Sequence, residues 1–292
     1  MIPIAGTVED VRAVVTAWKK EGLRIGLVPT MGFLHEGHQS LIQRAARENG
    51  RVVVSIFVNP MQFGPHEDLD RYPRDLERDL ACCEAAGAHL VFHPDPSIIY
   101  PPHFCTRVEV SKLTAGLCGK SRPTHFTGVC TVVCKLLNIV APDHAYFGQK
   151  DAQQLAVIKQ MTRDLNISAT IVGCPIVRDQ DGLAKSSRNA YLLPEERKAA
   201  LALHRSLRLA EKAVADGARE SRALSALIRD ALAMEPLIAI DYIEIVDPDS
   251  MSPLSRIDGS ALIALAAQVG KARLLDNILV SVQEPPEASI FI

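Results

Sequence analysis

The 292-residue chain has no excess of charge of either sign: 32 Lys and Arg stand against 34 Asp and Glu, a formal net charge of −2. A general binder of nucleic acid or of an anionic membrane surface needs a basic patch, and none is visible, so neither kind of partner is expected. No apolar run approaches the roughly 18 residues of a membrane-spanning helix. The opening MIPIAGTVED lacks the basic lead and apolar core of a secretion signal, which predicts a cytoplasmic protein. The seven cysteines, Cys82, Cys83, Cys105, Cys118, Cys130, Cys134 and Cys174, include no CxxC pair, which removes support for a zinc ribbon or a thioredoxin-like site. Most lie in apolar runs and read as small buried hydrophobes in a reducing compartment. Neither GxGxxG nor GxxxxGK[ST] occurs near the first strand, so dinucleotide-binding and P-loop chemistry lose their usual support. HExxH is missing too, since the HEGH of residues 35–38 spaces its histidines three apart.

What is present is a 48% hydrophobic chain long enough to bury a large core and to exceed one compact domain. Thr7 to Lys20 reads as a helix, because Thr7 and Asp10 have capping-box spacing and Val11, Val14, Val15 and Trp18 share a face. RIGLVP (24–29) reads as a buried strand, His38 to Glu48 as a helix, and VVVSIFV (52–58) as a central parallel strand. The alternation continues with a helix near Asp75–Ala86, the strand AHLVFHP, a helix over Val129–Val140, the strand end AYFG, a helix over Ala152–Asp164 and ATIVGCPIV. Strands alternating with such helices predict βαβ units, an α/β fold with a Rossmann-like parallel sheet. Composition changes after residue 177. A long helix from Glu195 to about Ala215, another near Arg222–Met234 and the strand-like IAIDYIEIV, ALIALAAQV and ARLLDNILV predict a smaller C-terminal α+β domain. The expected division is 1–177 and 178–292.

The sharpest chemical signal is PTMGFLHEGHQSLI (29–42), where a strand ends and a helix begins. Helix N-termini offer N–H groups and a positive dipole end to anions, and ligands of open α/β sheets gather at the carboxyl ends of strands. Gly32 and Gly37 would let backbone approach a ligand. His35 and His38 would share a face and could donate hydrogen bonds to a triphosphate as pyrophosphate leaves. Asn59 and Gln62 follow the second strand directly, and neutral amides suit a hydroxy acid. In FGQKD, Gly148 to Asp151 again end a strand and open a helix, with Lys150 as a point charge on phosphate. In KSSRN (185–189), Ser186 and Ser187 offer hydroxyl donors and Arg188 a planar fork. Arg122 and His125 are further basic candidates.

HEGH after a strand resembles the HIGH motif of nucleotidylyltransferases and class I aminoacyl-tRNA synthetases, and KSSRN resembles their second, mobile phosphate-binding signature. With VSIFVNPMQFGPHEDLDRYPR, RPTHFTGVCTVV, FGQKDAQQL and IVGCPIVRDQDGLAKSSRNAYL in matching order, the chain resembles the pantothenate synthetase family over residues 23–197. The resemblance implies ATP contacts at Met31, Gly32, Phe33, Leu34, His35, Glu36, Gly37 and His38, at Gly148, Gln149, Lys150 and Asp151, at Val177, and at Lys185, Ser186, Ser187 and Arg188. His38 matches the family's proton donor, Gln62 the contact to pantoate and β-alanine, and Gln154 a contact to pantoate. Position 185 departs from the pattern, being commonly apolar in the family. The resemblance further implies Mg-ATP as substrate, a pantoyl-adenylate intermediate, a homodimer and a C-terminal domain that acts as a lid. Two other readings fit the same motifs: nucleotide transfer to a phosphorylated acceptor, and nucleotide binding without catalysis.

Overall fold

The structure, a computed structural model, describes residues 2–65 and 67–282, which divide into two compact units. The first comprises residues 2–178 and 185–187. Its elements in chain order are β1 (Ile4–Ala5), α1 (Val8–Lys20), β2 (Ile25–Thr30), α2 (Glu36–Glu48), β3 (Arg51–Ile56), α3 (Leu76–Ala86), β4 (Leu90–Phe92), α4 (Pro96–Ile99), α5 (Leu117–Ser121), α6 (His125–Val140), β5 (His144–Gly148), α7 (Ala152–Asp164) and β6 (Thr170–Cys174). All six strands are parallel, in the order β1-β4-β3-β2-β5-β6. The chain builds outward from β2 through β3 and β4, then returns to place β5 on the other side of β2. The β2/β5 junction is therefore the topological switch point, and open α/β sheets take their ligands beside the carboxyl ends of the strands at such a point.

The centre of this sheet follows from β-branched runs buried on both faces. Ile25, Leu27, Val28, Val52, Val53 and Val54 have no exposed surface, each contributing roughly 1.5–3 kcal/mol relative to an exposed side chain. That burial makes a rigid platform for the loops leaving β2, β3 and β5. The expected parallel α/β architecture is what the first unit adopts. Thr7 caps α1 as anticipated: its Oγ1 accepts from Asp10 N at 3.2 Å, and the Asp10 carboxylate accepts from Thr7 N at 3.2 Å. The strand β1 and helices α4 and α5 escape sequence reading because two to five residues carry no detectable period. The helix expected from Val129 begins instead at His125, since the Thr127–Gly128 pair that weakens the local helical signal is held by tertiary contacts described below.

The second unit, residues 179–184 and 188–282, is a smaller α+β assembly. It holds α8 (Pro194–Ala215), α9 (Ser221–Ala233) and an antiparallel sheet β7 (Ile238–Val246), β8 (Ser260–Val269) and β9 (Ala272–Ser281). Leu203, Leu207, Ala210 and Val214 of α8 meet Leu224, Ile228 and Leu232 of α9 and the inner faces of β8 and β9 in one apolar core. Arg197 clamps the 179–183 turn through Asp179 at 2.9 Å and Asp181 at 2.6 Å.

The seven thiols are free, with Cys83, Cys118, Cys130 and Cys174 buried and Cys82 and Cys134 partly so. Cys105 is exposed, which corrects the reading of these cysteines as interior hydrophobes at that one position. Among the described residues, no helix is long and apolar enough to cross a membrane.

Candidate active site

The loop after β2 makes two left-handed residues in succession, Gly32 at φ 83° and Phe33 at φ 50°. A side chain at position 32 would be strained by φ alone, and its Cβ would also lie 2.9 Å from Asp79 Oδ2. Asp79, from α3, is what holds this loop: its carboxylate accepts from Phe33 N and Leu34 N, both at 2.7 Å. Burial pushes the Asp79 carboxyl upward against those two bonds, which favour its charged form. Arg78 adds a cation over the Phe33 ring, 4.9 Å from its centroid.

Helix α2 then begins in an unusual way, with an imidazole rather than a hydroxyl or carboxylate at the cap. His35 Nδ1 accepts from Gly37 N at 3.1 Å, and His38 Nδ1 accepts from His35 N at 3.3 Å. The N–H groups of Phe33, Leu34, His35 and Gly37 are thus satisfied within the protein. This corrects the expectation of a bare N–H cradle at the helix start. It also corrects the reading of Gly37, whose absent side chain leaves room for the His35 ring, 2.8 Å from where a Cβ would stand. Because both Nδ1 atoms accept, both protons sit on Nε2. The rings are 4.1 Å apart between centroids, and their Nε2–H groups are the donors left to meet a ligand.

Both imidazoles are neutral. Burial, then Lys150, Lys185 and Arg78, lower His35 to about 4; burial, then His35 and Lys150, lower His38 to about 3. Lys150 lies in the 3₁₀ turn after β5, with Nζ 3.8 Å from Asp151 Oδ1, so the β2 and β5 loops meet electrostatically across the switch point. Residues 185–187 join the same place. Lys185 N donates to Val177 O at 2.9 Å, Ser187 Oγ donates to Phe33 O at 3.2 Å, and Lys185 Nζ reaches Glu36 Oε2 at 3.1 Å. Arg188 belongs to the second unit.

The turn after β3 is assembled around Asn59, and here the structure overturns a sequence expectation. Asn59 is 1% exposed. Its Nδ2 donates to Gln62 Oε1 and Gly128 O, both at 3.0 Å, and its Oδ1 accepts from Met61 N at 3.3 Å and Tyr100 OH at 2.7 Å. All four positions of the amide are used internally in this structure, where Asn59 orients Gln62. Gln62 Nε2 in turn lies 3.0 Å from Met31 Sδ, joining the β3 and β2 loops. Gln154 is partly exposed in the first turn of α7, whereas its neighbour Gln153 points inward, donating to Leu113 O at 2.8 Å and Gly116 O at 2.9 Å.

Arg122 and His125 also prove to be supports. His125 Nδ1 donates to Gln62 O at 2.9 Å and its Nε2 accepts from Arg122 Nη1 at 3.2 Å, while Arg122 Nη2 donates to Gln62 O at 3.1 Å and the guanidinium pairs with Glu67. Burial first, then Arg122, lowers His125 to about 4. Three residues of this assembly were not singled out from sequence. Asp79 and Tyr100 left no local signal. Gly128 did leave one, a glycine inside an apolar helix, which commonly marks a close backbone approach. A Cβ at Gly128 would sit 2.3 Å from Met61 O and 2.6 Å from Gln62 N.

Three partly buried, neutral imidazoles make stability depend on acid. Their folded pKa values lie below the ordinary 6.5, so the unfolded chain binds protons first as pH falls; their contribution is complete above about 6.5 and is lost toward 4. Thermal denaturation is expected to show a lower Tm at pH 5 than at pH 7, with each histidine worth on the order of 1–2 kcal/mol. A Tm unchanged over that interval would contradict the neutral assignment.

A six-stranded parallel sheet, with paired imidazoles and a lysine gathered at its switch point and a separate α+β unit following it in the chain, defines an α/β protein with its candidate ligand site at the carboxyl ends of the strands. The family model described as pantoate-beta-alanine ligase matches residues 3–279, and the chain belongs to that family. It is 58% identical over 271 residues to the pantothenate synthetase of Ruminiclostridium cellulolyticum, covering 93% of this chain and 96% of that protein. It is 55% identical over 277 residues to that of Enterococcus faecalis, covering 95% and 98%. The crystal structure of pantothenate synthetase from Thermus thermophilus superposes with a TM-score of 0.90 at 46% identity, covering 95% of this chain and 99% of that one. The pantoate-beta-alanine ligase of Francisella tularensis, complexed with beta-gamma ATP and β-alanine, has a TM-score of 0.80 at 35% identity, covering 96% and 98%.

Proposed function

We propose that this chain condenses pantoate with β-alanine at the expense of ATP, forming pantothenate, AMP and pyrophosphate through a pantoyl adenylate. The observation that carries the reading is the convergence of His35, His38 and Lys150 with the neutral amide of Gln62 around one sheet switch point. In the first step a pantoate carboxylate oxygen attacks the α-phosphorus, and the bond to the bridging oxygen of the β-phosphate breaks. In the second the β-alanine nitrogen attacks the acyl carbon and AMP departs. Neither step needs a protein nucleophile, and no nucleophile–base pair is required of the site. The chain's part is positioning and charge stabilisation. His35 and His38 donate Nε2–H to phosphate oxygens, Lys150 supplies a fixed positive charge, and Ser186 and Arg188 contribute further phosphate donors, while Ser187 offers its backbone N–H, its hydroxyl being given to Phe33 O. Gln62 and Gln154 hold the hydroxy acid.

Among the described residues no group of three or more His, Cys, Asp or Glu side chains could cage a metal ion. In this reading Mg²⁺ arrives as Mg-ATP, held by phosphate oxygens and water. Arg122, already paired with Glu67, adds little free positive charge beside Gln62, which favours an uncharged hydroxy-acid subsite over one for a phosphorylated acceptor. In this reading the first unit, with residues 185–187, binds ATP and pantoate, the second unit serves as the lid, and the enzyme works as a cytoplasmic homodimer. Pyrophosphate release from Mg-ATP tests the assignment. A stoichiometric burst with pantoate, becoming steady turnover with AMP formation once β-alanine is added, is the expected result. Bound ATP with no pantoate-dependent release would overturn it.

A further inference from the structure

Arg78 lies on α3, outside the site motifs, and its exposed guanidinium meets the loop after β2. The group stacks over the Phe33 ring, 4.9 Å from the centroid, and donates one long hydrogen bond, from Nη2 to Leu34 O at 3.5 Å. Among the described residues it forms no ion pair. The two carboxylates beside it on the chain are spent on backbone: Asp79 accepts from Phe33 N and Leu34 N, and Asp75 accepts from Arg78 N at 3.1 Å. Stacking occupies the face of a guanidinium, whereas its N–H groups lie in the plane, so most of the Arg78 fork stays available to a further acceptor. The platform beneath it is fixed. Phe33 stands at φ 50°, unfavourable for a bulky side chain, and is held there by Asp79 at its N–H and by Ser187 Oγ at its carbonyl. Beyond burial, His35 is lowered by Lys150, Lys185 and Arg78, whereas His38 is lowered by His35 and Lys150 and raised by Asp151. The cation-rich side of the imidazole pair is therefore the side of His35.

We propose that Arg78 binds the terminal phosphates of the nucleotide, with the Phe33 ring as the platform that holds its guanidinium ready. The inference rests on the nucleotide reading above and adds to it a residue from α3 that no motif assigns. The β- and γ-phosphates carry most of the charge of a triphosphate, so they take the cation-rich side, and the His38 side, where Asp151 offsets Lys150, is left to the reacting α-phosphate. A planar fork accepts two phosphate oxygens at once, a geometry that a lysine ammonium cannot reproduce. The stacked ring restrains the long side chain before the ligand arrives, so less freedom is lost on binding. When the bond to the α-phosphorus breaks, the same fork holds the departing pyrophosphate.

Titration calorimetry of the full chain with Mg-ATP, inorganic pyrophosphate and AMP tests this without requiring turnover. Arg78→Met keeps an apolar stem to lie on Phe33 and removes the fork. It is expected to weaken Mg-ATP and pyrophosphate about tenfold, the low end for a charge-assisted contact because the group is exposed, while AMP, which lacks the terminal phosphates, stays within about twofold. The salt dependence of Mg-ATP binding should flatten as well. Arg78→Lys should recover only part of the affinity, since it restores the charge without the fork. Arg78→Gln carries the same expectation as Arg78→Met should the methionine variant melt early. Unchanged affinity for Mg-ATP and pyrophosphate in a variant of normal Tm would overturn the proposal, and so would an equal loss for AMP, which would reduce Arg78 to a prop for the loop. A failure of the functional reading looks different: wild-type protein would bind Mg-ATP yet release no pyrophosphate with pantoate.

Discussion

His38→Ala is expected to slow pantoate-dependent pyrophosphate release by roughly 10²- to 10³-fold, the loss typical of one preorganised donor to a developing negative charge. The reason lies in its protonation. His38 Nδ1 is occupied by His35 N at 3.3 Å, and burial lowers the ring to about 3, so the group is a neutral Nε2–H donor throughout the physiological range. In the proposed reaction it stabilises charge by hydrogen bonding and has no mobile imidazolium proton to give. This refines the proton-donor role implied by the family resemblance. The rate of the first half-reaction should therefore be nearly flat between about pH 5.5 and 8 as far as His35 and His38 are concerned. His38→Gln, which keeps an amide N–H, should recover part of the loss. A rate that climbs as pH falls through 6 would show that an imidazolium is used after all. The substitution also removes an acceptor for His35 N, a cap interaction worth about 0.5–2 kcal/mol, so Tm must be read beside the rate.

Gly128→Ala is the second large effect, and nothing about the residue's own chemistry suggests it. The new methyl group would stand 2.3 Å from Met61 O, 2.4 Å from its carbonyl carbon and 2.6 Å from Gln62 N, all backbone atoms that cannot rotate away. The Pro60–Gln62 turn must move by about 1 Å, a displacement that can lower a rate 10²-fold when it falls on a substrate-positioning group. The expected result is a drop of about that size in kcat/KM for pantoate with the KM for ATP within about twofold, because the His35–His38 turn is held separately by Asp79. Stability should fall as well, by about 1–3 kcal/mol of overpacking offset by up to about 1 kcal/mol of helix propensity, so Tm is read beside the kinetics. Equal losses for ATP and pantoate would indicate a general distortion, and unchanged kinetics would remove Gly128 from the site.

Much of this arrangement was legible beforehand, for local reasons. The run VVVSI is β-branched and apolar on both faces, so it reads as a central strand; Thr7 and Asp10 cap each other across three residues; and HEGH falls at a strand end that any parallel α/β sheet turns toward its ligands. Less legible was which polar side chains face a ligand and which face the protein. Asn59 and Gln62 look alike in NPMQ, yet Asn59 is consumed by Gly128, Tyr100 and Met61 while Gln62 is what it orients. Arg122 and His125 read only as basic candidates near the site and turn out to carry the Gln62 carbonyl.

The sequence by itself determined the alternation of strands and helices, the place of the HEGH motif at a strand end and the near-neutrality of the overall charge. Each of these is a property of residues a few positions apart or of simple composition. Only the tertiary structure decided that Asp79, 45 residues from Leu34, would hold the glycine-containing loop, and that Gly128, 69 residues from Asn59, would admit the β3 turn. It alone decided that two imidazoles would be stripped of their basicity by burial and by Lys150. Desolvation, steric exclusion and the use of every hydrogen-bonding position are set by whatever packs around a group, and those neighbours are brought together only when the sheet closes.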